Sequence, residues 1–214
     1  MLRGIIFDLD GTLLDTLPIC MESFRRAFQK YTGKDYNDKD ISSLFGPSEE
    51  GVIKKVVPSN SEQCLQYYLE QYRLLHNKRK LLFPGIIDIL KMLKKQNIKM
   101  AIVSGKGRKS MEISLEYSSL KRYFSEVYTG NIDGIKKSEH LNIILRRWKI
   151  PEETVYYVGD TASDIRGARK AGILSIAALW GGENISANDV LAENPDLVFD
   201  NTESFRQWIE SQLA

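Results

Sequence analysis

The sequence predicts an α/β fold, a doubly wound parallel sheet with a helical domain inserted into it. Three observations lead there. Short apolar, β-rich runs recur along the chain, amphipathic helical patterns separate most of them, and the interval 16–82 carries helical patterns alone.

The predicted strands are GIIF (4–7), MAIV (100–103), SEVYT (125–129), TVYYVG (154–159), LSIAAL (174–179) and DLVF (196–199). Between them IIDILKMLKKQ, SEHLNIILRRW and SDIRGARKAG repeat apolar residues at three- and four-residue intervals, the period of a helix with one buried face. Strands alternating with helices need crossover connections, and crossovers produce a parallel sheet covered on both sides. The interval 16–82 is too long for a βα connection. SFRRAFQKY, DISSLFG, EEGVIKKVV and QCLQYYLEQYRLLH within it all read as amphipathic helices, and the turn-forming FPG at 83–85 closes it. The expected division is an α/β core of residues 1–15 and 83–214 with a helical cap of residues 16–82.

Composition narrows the function. Of 214 residues, 43% are hydrophobic and 27% charged, with a formal net charge of +2, which argues against nucleic acid or an anionic membrane as partner. Cys20 and Cys64 form no CxxC pair and read as reduced thiols. The start MLRGIIFD reaches an acid before a signal-peptide apolar region could form, and no apolar run approaches the roughly 18 residues of a membrane span. A cytoplasmic location is expected, as a monomer or homodimer.

In doubly wound sheets ligands bind beyond the carboxyl ends of the strands. After GIIF come Asp8, Asp10, Gly11 and Thr12; after MAIV come Ser104, Gly105 and Lys106; after YYVG come Asp160, Thr161 and Asp164. Lys136 and Lys137 precede the helix beginning near Ser138. Carboxylates gathered this closely repel one another and lose solvation, so they call for a divalent cation and a fixed ammonium. Oxygen ligands without His or Cys favour a hard ion, Mg2+. Magnesium, a lysine, a hydroxyl and main-chain N–H groups suit the oxygens of a phosphoryl group. Asp8 is then positioned to attack phosphorus, with Asp10 as general acid and later general base.

These residues make the chain resemble the haloacid dehalogenase-like hydrolases, in the branch with a helical cap after the first motif. The carriers are Asp8-Leu9-Asp10-Gly11-Thr12, Ser104-Gly105-Lys106 and Gly159-Asp160 through Asp164, with AGI at 171–173 and Trp180-Gly181 extending the likeness. The resemblance implies a Rossmann-like core, Asp8 as nucleophile and metal ligand, and Asp10 as acid/base with its main-chain carbonyl on the metal. Asp160 would be a ligand, and Asp164 would bind the metal or orient its water shell. Ser104 and the lysine would hold the phosphoryl group, with Gly11, Thr12 and Gly105 completing the phosphate-contacting set. Dehalogenases of the family lack the second acid, so Asp10 points away from that activity.

The lysine motif departs from the common K-P-x-P, reading KKSEHL. Lys137 at the helix start is the better aimed of the pair. SGKGRKS at 104–110 lacks the spacing of a P-loop, so Lys106 and Arg108 read as surface or rim charges. His76 and His140 have no partners at metal-ligand spacing, HNKRK at 76–80 reads as a solvated helix end, and Lys54 and Lys55 as solvated helix charges. Trp180 reads as packing near the rim.

The expected function is a Mg2+-dependent phosphatase acting on a small phosphorylated metabolite. Resemblance to the phosphoglycolate phosphatase group favours phosphoglycolate-like compounds, ahead of sugar phosphates, nucleotides or pyrophosphate. The alternatives are a hexose-phosphate mutase, whose acidic motif often reads Glu-Asp where this chain has Gly159-Asp160, and a phosphoacceptor signalling domain, against which the cap argues.

Overall fold

A computed structural model describes residues 1–134, 136–182 and 186–213. Six parallel strands form one sheet: β1 (Gly4–Phe7), β2 (Lys99–Val103), β3 (Glu126–Tyr128), β4 (Val155–Gly159), β5 (Leu174–Ala178) and β6 (Leu197–Phe199), in the order β3-β2-β1-β4-β5-β6. The strand order reverses at β1, which pairs with β2 on one side and β4 on the other. The crevice of a doubly wound sheet opens at such a reversal. β4 begins one residue later than TVYYVG suggests, because Glu152–Thr154 form a short 3-10 turn.

Strand alternation divides the core. Ile5 and Phe7 face a layer built by α5 (Ile86–Lys95), α6 (Arg108–Ser118) and α9 (Thr202–Leu213), through Ile89, Leu93, Met111, Phe205 and Ile209. Ile6, Ala101 and Tyr157 face the opposite layer of α7 (Lys137–Trp148) and α8 (Ala162–Ala171), through Leu141, Ile144 and Ala168. Burial of each large apolar side chain contributes roughly 1.5–3 kcal/mol. Both faces are covered, which explains why the strands read as continuous apolar runs.

Between β1 and α5 lie α1 (Leu17–Thr32), α2 (Asp38–Ser42), α3 (Glu49–Val56) and α4 (Ser61–His76). They bury their own cluster, in which Phe24, Phe28, Ile53, Cys64, Tyr68 and Tyr72 are almost wholly enclosed and which Ile113 of α6 joins from the sheet side. The chain leaves and returns side by side: Asp15 N donates to Leu81 O at 2.6 Å, and Phe83 N donates to Leu13 O at 3.3 Å. The helix expected over DISSLFG extends no further than Ser42.

Candidate active site

β1 stops at Phe7, and the chain turns out of the sheet through residues 8–14. Gly11 makes this turn with φ of 76°, a region costly for other residues. A Cβ there would also collide with the Asp160 carboxylate. The break in the strand separates Asp8 from Asp10, which strict alternation would have set side by side. Asp8 is buried; its Oδ1 accepts from Leu9 N at 2.7 Å and its Oδ2 from Lys137 Nζ at 3.0 Å. The Asp10 carboxylate instead accepts from the Thr16 hydroxyl and from Lys106 Nζ, the latter at 3.2 Å.

The crowded acids are Asp8, Asp160 and Asp164, each offering a carboxylate oxygen within 4.8 Å of the others, all three buried. Asp160, at the end of β4, accepts from the Thr12 hydroxyl at 3.0 Å. Asp164 lies in the first turn of α8. One of its oxygens accepts from Lys137 and lies 2.8 Å from the Tyr157 hydroxyl, while the other accepts from the Thr161 main chain and hydroxyl. Its acceptor capacity is therefore largely spent inside the protein, whereas Asp8 and Asp160 retain free lone pairs.

Burial, the nearby Asp164 and the nearby Asp10 push the Asp8 carboxyl up to about 6 against the lowering effect of Lys137 and the Ser104 hydroxyl. Burial, then Asp164 and Asp8, raise Asp160 well above the usual carboxylate range. Burial acts against the Lys137 ammonium, but Asp164 and Asp8 more than offset it and its affinity for the proton rises. A buried, all-oxygen set short of positive charge fits a hard divalent ion held by Asp8 and Asp160. A metal role for residue 10 would rest on its main-chain carbonyl.

Several expectations change in place or partner. Lys106 is a buried charge, not a rim one. Its ammonium lies 3.3 Å from Glu49 and 4.5 Å from the centre of the Tyr72 ring, besides its contact with Asp10. Arg108 is exposed, as are Lys54 and Lys55. Thr12 is fully buried on Asp160 and, with Gly11, stands behind the cavity wall, where it positions the acid. Ser104 and Gly105 do line the cavity. Lys137 reaches the acids while Lys136 turns outward toward Glu139 at 3.6 Å. His76 is buried against Tyr72 and Tyr117, so the helix end it was expected to share with 77–80 is solvated only beyond it. The Trp180 indole donates to Thr12 O at 2.9 Å and stacks on Phe205, tying the first loop to the core.

Glu49 escaped the sequence reading. It is buried in the first turn of α3 and accepts from Gly107 N and the Ser110 hydroxyl at the start of α6. Lys106 lowers its pKa despite the opposing effect of burial. An acid in the first turn after Ser48 looks in sequence like any helix-start carboxylate.

A cavity of about 600 Å³ lies between the helical segment and the sheet edge. Its floor carries Asp8, Asp160, Ser104 and Lys137, and its roof is formed by α1, α3 and the 42–47 loop. Fold and site together define an enzyme of the doubly wound α/β kind with a buried carboxylate, Asp8, at the sheet reversal. The chain belongs to the haloacid dehalogenase-like hydrolases, whose family model matches residues 5–178.

Among relatives, the pyrophosphatase PpaX of Bacillus cereus is 30% identical over 181 residues, covering 84% of each chain. A haloacid dehalogenase-like family hydrolase from Streptococcus pneumoniae superposes with a TM-score of 0.76 at 25% identity, covering 97% of this chain and 98% of its own. CbbY from Rhodobacter sphaeroides, solved in complex with phosphate, shares the fold with a TM-score of 0.80 at 19% identity, covering 94% of this chain and 95% of its own. Among the described residues no helix is long and apolar enough to cross a membrane.

Proposed function

We propose that the chain is a Mg2+-dependent phosphatase of small phosphorylated metabolites that works through an aspartyl phosphate on Asp8. The observation that carries this reading is the buried Asp8 carboxylate on the cavity floor, with Lys137 3.0 Å from one oxygen and Asp160 alongside. Bound between Asp8 and Asp160, Mg2+ would hold both acids ionised and offset charge on the phosphoryl oxygens. Lys137 and Ser104 orient the phosphoryl group, and an Asp8 oxygen attacks phosphorus as the ester oxygen departs. Asp10 gives that oxygen its proton, then takes one from the water that releases phosphate from Asp8. Lys106 and Thr16 hold the Asp10 carboxylate in place for both steps.

Gly159 supports hydrolysis over mutase chemistry. A Cβ at this position would meet the Asp164 side chain, so the Glu-Asp pair frequent in sugar-phosphate mutases has no room here. Pyrophosphate, suggested by the name of the PpaX relative, stands beside the phosphoglycolate-like esters and sugar phosphates expected from the sequence as a compound to be tested. The two buried free thiols agree with a cytoplasmic location.

The test is phosphate release from an aryl phosphate with Mg2+. Repeated turnover that EDTA and Asp8→Asn both abolish supports the mechanism, and full activity in Asp8→Asn overturns it. Interconversion of a sugar phosphate without phosphate release would favour the mutase.

A further inference from the structure

The charges of the cavity bear on which phosphate ester it takes, an inference that rests on the hydrolase reading above. Five carboxylates and three cations line the cavity. Every one of those cations already has a carboxylate partner. Lys137 is held by Asp8 and Asp164 at the reacting phosphoryl position. Lys106 has a wholly buried side chain between Asp10 and Glu49. Arg166, at the outer rim, pairs with Glu193 at 2.5 Å. A second anion on the substrate would thus face Glu49, Asp10 and Asp189 with no free ammonium or guanidinium among the described lining residues.

The wall opposite the phosphoryl position has a different character. It is made by Leu17, Met21, Phe24, Phe45, Pro47 and Val52. Phe45 is 41% exposed at the mouth, an aromatic ring left for a ligand to cover. A cavity of this size holds more than a two-carbon acid.

We propose that the leaving group is an uncharged alcohol with an apolar body, and that phosphoglycolate, bisphosphates and pyrophosphate are poor substrates. Desolvating a carboxylate or second phosphate beside Glu49 would meet no compensating charge, whereas an apolar body gains by covering the wall. The cation–carboxylate pairs close the cavity to second anions without a steric block.

The experiment compares kcat/KM, with Mg2+ present, for 4-ethylbenzyl, 4-carboxybenzyl and 4-(aminomethyl)benzyl phosphate, together with 2-phosphoglycolate and pyrophosphate. These benzyl esters keep the reacting end alike and change only the remote group. The ethyl compound is expected to lead every other substrate by about tenfold or more. Phe45→Lys, at an exposed position that tolerates a polar side chain, is expected to raise the carboxybenzyl ester by about tenfold relative to the ethyl ester. Equal or better turnover of any charged substrate in the unaltered protein overturns the proposal, as does a Phe45→Lys ratio unchanged in a protein that still cleaves the ethyl ester. Failure to cleave any substrate in the panel, and the aryl phosphate of the hydrolase test as well, sinks the hydrolase reading itself, a result distinct from a reversed preference.

Discussion

Lys106 and Glu49 meet across the junction of the helical segment and the sheet, with the ammonium 3.3 Å from one Glu49 oxygen and 3.2 Å from Asp10. Glu49 also accepts from Gly107 N and Ser110, so one carboxylate of α3 is tied to both the loop after β2 and the start of α6. A main-chain bond from Ser48 N to Asn131 O at 2.9 Å stands beside it. Together these contacts hold α3 down on the sheet edge and hold Lys106 against Asp10.

Removing the shared cation is the severe change. Lys106→Met leaves the buried Glu49 and the partly buried Asp10 without their shared cation, a loss of about 3–5 kcal/mol. In a chain of this length that is a fall of roughly 6–20 °C in melting temperature. Glu49→Gln keeps the shape and most hydrogen bonds, so calorimetry on the pair should find it much the milder. Similar melting temperatures would mean that the ion pair is not what holds α3 in place.

Metal addition should stabilise the protein. At an ion concentration of about 100 times Kd, binding contributes roughly 2.7 kcal/mol, seen as a rise of about 5–10 °C in melting temperature. EDTA should reverse it, and Asp160→Asn should abolish most of it, because Asp160 retains lone pairs that Asp164 does not. A response lost in Asp164→Asn but intact in Asp160→Asn would transfer the metal site to the helix.

Gly159→Ala should impair turnover far more than folding. The added Cβ must displace the Asp164 side chain, and with it Lys137, whose ammonium is shared between Asp164 and Asp8. Misplacement on the order of an ångström at the reacting atoms costs roughly 100-fold in kcat. Steady-state kinetics on an aryl phosphate would detect it, and unaltered kcat would show that Lys137 is positioned by other groups.

His76 should make the contact between α4 and α6 pH-sensitive. Its ring stacks on Tyr117 and lies 3.3 Å from the Ser114 hydroxyl, and burial, then the Lys106 charge, pushes its pKa down to about 4. The unfolded chain titrates near 6.5. Between those values the unfolded state binds more protons, so this contribution is complete above about pH 6.5 and is lost as pH falls toward 4. Melting temperatures at pH 7.5 and 5 should therefore differ more in the unaltered protein than in His76→Gln. Parallel behaviour would remove His76 from the account.

The strands, their parallel pairing and the helical interval were legible because burial on two faces leaves apolar runs and burial on one leaves a helical period. Asp8, Ser104, Lys137 and Asp160 were legible because they sit at strand or helix ends, where a doubly wound sheet exposes its ligands. Thr12 was legible as a site residue but not as a support for Asp160, since its side-chain direction depends on the turn at Gly11. Lys106 was misread because spacing in a polar stretch carries no information on burial.

From its order of residues alone, this chain specifies a crossover sheet, an inserted helical segment and an edge rich in carboxylates, all of which follow from local periodicity and from which residues end each strand. Only the folded structure decides that Glu49 closes on Lys106, that Asp164 spends its oxygens on Lys137 and Thr161, and that the cavity roof is apolar with no cation to spare. Those outcomes depend on contacts between residues dozens of positions apart, and local sequence patterns do not encode the distances that determine how charges pair.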